Sequence, residues 1–163
     1  MGFYAKVIRR SGGGLKKLFV PKRRRSIVKV GFPAGEVKSS VIMRAIYNEF
    51  GTRGSGKGFK TERGGGFGGP IPERPFLRNA MRENRDAYRA AMRAAARRIF
   101  AKKLPVGEEL RRLGVKAQGD VQKSIQTLTS PPNSPLTIAL KGSDKPLIDT
   151  GEMGQAVTFK VEE

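Results

Sequence analysis

Three short stretches carry residue types whose spacing could do chemistry. Leu147-Ile148-Asp149-Thr150-Gly151 contains the D-T-G of a carboxylate-dyad hydrolase. That chemistry needs two carboxylates sharing one proton, so a half-site chain would have to dimerise. Only twelve residues follow Gly151, too few on this reading for a flap and a second cleft wall. Asp149 reads more simply as a helix N-cap, with Glu152 three residues on in the capping-box position. Gly51, Gly56 and Lys57 satisfy G-x4-G-K, but Gly58 stands where a metal-binding Ser or Thr is needed. Neither a buried strand before that segment nor a helix after it is evident. Pro72-Glu73-Arg74-Pro75 fits a PxxP ligand, a pattern that arises easily by chance. The chain has no cysteine and no histidine. Disulfides, thiol nucleophiles, imidazole acid–base catalysis and Cys/His zinc clusters are therefore excluded. The expectation is a chain that is not an enzyme and takes no cofactor and no metal.

The remaining chemistry is that of charge. Arg78, Arg82, Arg85, Arg89, Arg93 and Arg97 are separated by 4, 3, 4, 4 and 4 positions. On a helix they line one side, drifting slowly about the axis, while Leu77, Met81, Tyr88, Met92, Ala95 and Ile99 line another. Only Glu83 and Asp86 lie nearby to neutralise them. Guanidinium forks match carboxylates and phosphates, which favours a partner-contacting face over a merely solvated one. A second basic run, Lys22-Arg23-Arg24-Arg25, sits in a loop that must be solvated or docked.

These residues need elements to hold them. Phe3, Ala5 and Val7 alternate in a strand over 3–10, and the β-branched Ile27-Val28-Lys29-Val30 predicts another over 26–32. Val37, Val41, Ile42, Ala45, Ile46 and Glu49 predict a helix from about Lys38 to Glu49, stopped by Gly51. Residues 51–70 are too rich in glycine to pack and read as a long flexible loop. Within it Thr52, Arg53, Lys57, Phe59, Lys60 and Phe67 are candidates for contact with a neighbouring subunit. After three prolines the Ala- and Arg-rich stretch predicts one helix from Phe76 to about Lys103, ended by Pro105. Leu110, Leu113, Ala117, Val121, Ile125 and Leu128 predict a second from about Gly107 to Leu128, with Gly114 and Gly119 allowing close approach. Ser134-Pro135 opens a short helix to Leu140, and Val157, Phe159 and Val161 alternate in a final strand. The fold class expected is α+β: a small, mostly antiparallel sheet against two long helices, with a long Gly-rich loop, in one domain over 1–163. Residues 1–36 form its basic N-terminal segment.

The chain carries 33 Lys and Arg against 14 Asp and Glu, a formal charge of +19. Residues 1–104 hold 26 basic and 6 acidic side chains, residues 105–163 hold 7 and 8. So polarised a chain calls for a negative partner: nucleic acid, an anionic surface or acidic faces of other proteins. No stretch approaches the roughly 20 apolar residues of a membrane-spanning helix, and Met1 to Arg10 lack the apolar core of a signal peptide. A soluble protein used where it is made, without a membrane partner, is expected.

Three segments in order carry a family resemblance. They are Ala45-Ile46-Tyr47-Asn48-Glu49-Phe50-Gly51-Thr52, then Ile71-Pro72-Glu73-Arg74-Pro75-Phe76-Leu77-Arg78, then Ser134-Pro135-Leu136-Thr137 with Lys141-Gly142 and Pro146-Leu147-Ile148-Asp149-Thr150-Gly151. This order resembles small neck, tail-completion and minor tail-component proteins of tailed bacteriophages, over about Val37 to Phe159. The resemblance implies a structural virion protein at the head–tail joint (adaptor, tail terminator or collar), assembled in the host cytoplasm. It implies a homo-oligomeric ring, a hexamer preferred and a dodecamer the alternative, contacting other neck and tail proteins or genome DNA in the channel. The competing class is a basic nucleic-acid-binding module. Against it, aromatics are few and not interleaved with the basic runs.

Overall fold

The computed structural model describes residues 26–54, 69–102 and 104–162. The expected strand over 3–10, the Lys22-Arg23-Arg24-Arg25 run and most of the Gly-rich loop lie outside the described residues. So do Lys57, Phe59, Lys60 and Phe67.

Two strands, β1 (Ile27–Gly31) and β2 (Thr158–Glu162), pair antiparallel with Val28 opposite Val161 and Val30 opposite Phe159. Directly opposed residues share a face, so these four form one apolar side. That side lies on α4 (Val106–Thr127). The approach is close because Gly114 of α4 has no side chain. A methyl group there would fall inside the ring of Phe159. Gly119, one turn and a half further on, has open space above it. The mixed helix-and-sheet class is thus the observed one, with the sheet reduced to two strands among the described residues.

Helix α1 (Ser39–Phe50) buries Val41, Ala45 and Glu49, one position every four residues. It ends at Gly51, whose φ of 68° lies in the left-handed region and whose Cα is pressed against the Ile71–Glu73 backbone. The predicted single helix from Phe76 to Lys103 is corrected to two. Helix α2 (Phe76–Glu83) and helix α3 (Arg85–Lys102) meet at Asn84, with φ −94° and ψ 8°. The Asn84 side chain donates to the Ala80 carbonyl at 3.0 Å, competing with regular helix geometry as short polar side chains do.

Buried Val41, Ala45, Phe76, Ala80, Val121, Ile125, Leu147, Met153 and Val157 form one core between α1, α2, α4 and the segment before β2. Phe32 meets Phe76 edge to face at 6.2 Å. Helix α5 (Pro135–Lys141) begins as the Ser134-Pro135 pair predicts: Ser134 Oγ accepts from the Thr137 amide at 3.2 Å. The Asp149 cap does not form. Helix α6 (Glu152–Gln155) is capped at Gly151, and the Glu152 amide donates to Thr150 Oγ1 instead. Glu152 itself is drawn away to α1, where it pairs with Arg44 at 2.5 Å and Lys38 at 3.1 Å. Those two cations hold its carboxyl below the usual range, the Arg44 hydrogen bond most of all.

Candidate docking surface

Arg82, Arg85, Arg89, Arg93 and Arg97 are all exposed on α2 and α3. Arg89 reaches Asp86 at 3.5 Å, a solvent-exposed pair of little energetic consequence. Arg82, Arg85, Arg93 and Arg97 form no ion pair among the described residues. The stripe therefore lies on the surface, with four guanidinium groups free of ion pairs among the described residues.

Arg78, expected with the stripe as a partner contact, is exposed too but pairs within the chain. Its Nε bonds Glu49 at 2.9 Å, its Nη2 reaches the Glu49 carbonyl at 2.6 Å and also Glu73, and it stacks over the Phe50 ring at 5.1 Å. The cause is Glu49. Its inward position on α1 aims a carboxylate at the first turn of α2, where the Leu77 and Arg78 amides donate to it at 2.9 and 3.1 Å. Pro75, the residue before α2, offers no side-chain cap of its own. Glu49 thus caps a neighbouring helix and Arg78 completes its neutralisation. The hydrogen bonds that it donates to Glu49 and Glu73 hold the Arg78 guanidinium above its ordinary value.

Helix α3 is held by α4 through a second acid that the sequence reading did not single out. Glu109 is buried, and Arg98 grips it with Nε at 3.1 Å from both oxygens and Nη2 at 2.5 Å. The Arg98 hydrogen bond, with the charges of Arg98 and Arg112 adding, holds the Glu109 carboxyl below its usual range against the opposing effect of burial. At the other end Tyr88 donates to Asp120 at 2.8 Å; burial and that bond push the phenol well above its ordinary value. Between these clasps Met92, Ala95 and Ile99 face Leu110 and Leu113 across a cleft of about 280 Å³. None of the eighteen residues of α3 is buried, and Phe100 is 87% exposed.

A third unforeseen residue is Arg74, only 5% exposed. Its guanidinium donates to the Pro131 carbonyl at 2.9 Å, the Pro132 carbonyl at 3.0 Å, and the amide oxygens of Asn48 and Asn133 at 3.2 Å each. It pins the end of α1 to the turn before α5. Burial pushes it below its ordinary value.

The Gly-rich loop is closed at its base. The Thr52 amide donates to the Ile71 carbonyl at 2.9 Å and the Ile71 amide to Thr52 Oγ1 at 3.2 Å. Thr52 is committed to that bridge, whereas Arg53 beside it is exposed. Among the described residues no group of three or more acidic side chains is arranged to hold a metal, and no helix is long and apolar enough to cross a membrane.

No protein-family model, no curated protein and no solved structure matches this chain.

Proposed function

We propose that the chain is a non-catalytic structural component of a tailed bacteriophage, forming a ring at the head–tail joint. The observation that carries this reading is helix α3. An eighteen-residue helix ordinarily owes its stability to burying one face, yet no residue of α3 is fully buried among the described residues. Its guanidinium side stays exposed, as an assembly surface requires, and its apolar side is only half-covered by α4. Helix α1 repeats the pattern. Met43, Ile46, Tyr47 and Phe50 recur at helical spacing and stay exposed on the side away from Val41 and Ala45. Two unlike unpaired faces on one chain suit a heterologous contact, which closes into a ring when its rotation divides a full turn. The order of the three segments that resemble neck and tail-completion proteins supports the same place in the particle. On this reading the stripe docks acidic faces of the adjoining ring, or DNA in the channel. Loss of the chain should leave filled heads and finished tails unjoined in the lysate. Joined particles at normal yield would overturn the reading.

The second reading, a nucleic-acid-binding module, is favoured by the four arginines without an ion pair. A binder of that kind loses affinity linearly on a log–log salt plot, with a slope of roughly 0.9 per phosphate neutralised. If the chain holds duplex DNA at physiological salt with such a slope and never joins a larger particle, this second reading replaces the first.

A further inference from the structure

A groove of about 1070 Å³ runs between the C-terminal half of α1, the base of the Gly-rich loop and α5. Its charged lining is Arg44, Arg53, Arg74 and Lys141 against Asp149. Arg44 is already matched by Glu152. Arg74 is the exceptional member: a buried cation whose bonds all go to neutral oxygens, with no ion pair to a carboxylate among the described residues. Burying a charge without a counter-charge is costly, and dipoles repay it only in part. Lys141 lies close enough to feel it. Its ammonium donates to the Lys145 carbonyl at 2.9 Å, and burial together with the Arg74 charge pushes it below its ordinary value, with Asp149 opposing. Two partly desolvated cations thus line one concavity, and the charge of Asp149 acts on Lys141.

We propose that this groove is a docking site for an extended, carboxylate-bearing segment of another protein, its acid meeting Lys141 and Arg53 above the Arg74 floor. The other wall residues explain why a peptide fits better than a nucleic acid. Tyr47, Ile71, Pro72, Leu136 and Leu140 give the groove apolar sides, and Leu140 at its lip is 66% exposed. Apolar pockets between cations suit alternate side chains of an extended segment. A row of phosphates needs an open track of cations, which the α3 stripe offers and this concavity does not. The inference does not depend on the place of the chain in a phage particle.

The test is selection of a random hexapeptide library on the immobilised full-length chain and on two variants. One carries Arg53→Glu with Lys141→Glu in the groove. The other carries Arg85→Glu with Arg93→Glu on the stripe, an equal change of charge. Circular dichroism checks that both fold. The expected result is enrichment of peptides combining Asp or Glu with apolar residues on the wild type and the stripe variant, with at least tenfold less on the groove variant. No enrichment on the wild type would overturn the proposal, as would equal retention by the groove variant. Equal loss on both variants would mark the binding as generic attraction to a basic protein. Displacement of the selected peptides by an oligothymidylate only from chains with an intact groove would assign the site to nucleic acid instead. Head–tail joining plays no part in this readout, so its failure and that of the structural role are distinguishable.

Discussion

At the scale of single residues, charge divides into two kinds. Glu49 and Glu109 are buried and paired with arginines, and Arg74 is buried against neutral oxygens, whereas the stripe arginines of α3 are exposed and, Arg89 apart, without an ion pair among the described residues. Changing Arg85 and Arg93 together to Glu should leave the chain folded, since exposed substitutions shift stability by about 0.5 kcal/mol or less. Joining should fail, because like charges juxtaposed across an interface cost several kcal/mol. Changing both to Lys should weaken joining less, the charge surviving while the fork is lost. Soluble yield against the count of joined particles decides it; a folded Glu variant that joins normally would make the stripe a solvated face. Glu109 gives a pH prediction. Its folded carboxyl titrates lower than its unfolded one, so its stabilisation is full above the ordinary carboxylate range and is lost as pH falls through the lower folded value. Glu109→Gln should lower Tm at pH 7 and reduce the fall in Tm between pH 5 and pH 3, measured by thermal melts across that range. An unchanged acid slope would show that the Arg98 clasp does not contribute.

At the scale of elements, the two α4 glycines separate packing from propensity. Gly114→Ala must displace the Phe159 ring and should cost about 1–3 kcal/mol as overpacking does. Gly119→Ala meets open space and should stabilise by about 1 kcal/mol, raising Tm by roughly 2–4 °C. Thermal melts of the two variants moving in the same direction would contradict the sheet-on-α4 packing. The elements themselves were legible wherever period and punctuation agreed. The β-branched run at Ile27–Val30 marks β1, the three-and-four spacing from Leu110 to Ile125 lies on α4, and Ser134-Pro135 marks the start of α5. The break at Asn84 was hidden because strong helix formers flank it. The Asp149 cap failed because Glu152, its would-be partner, had cations on α1 to meet. Of the candidate site, the exposure of the stripe was readable from spacing alone. The fate of Arg78 was not, nor was that of Arg74, whose partners lie 26, 57, 58 and 59 residues away. One signal was available. Glu49 shares the four-residue register of Val41 and Ala45, and a carboxylate on an inward face demands a buried donor.

At the scale of the whole molecule, several large apolar side chains of the described residues stay on the surface. The stripe Met43, Ile46, Tyr47 and Phe50 and the outer side of α3 remain open, and the same chain is strongly basic. On the proposed reading, complementary charge speeds the encounter with an acidic partner surface more than it tightens it. On the proposed reading, closure into a ring satisfies both faces in every copy. The most direct test is a cryo-electron microscopy map of the particle that carries this chain. The account predicts a closed ring at the head–tail joint, six copies preferred and twelve the alternative, with α1 of one copy against its neighbour and the α3 arginines facing the adjoining component. Copies scattered singly over the particle, or a particle without the chain at that joint, would contradict it.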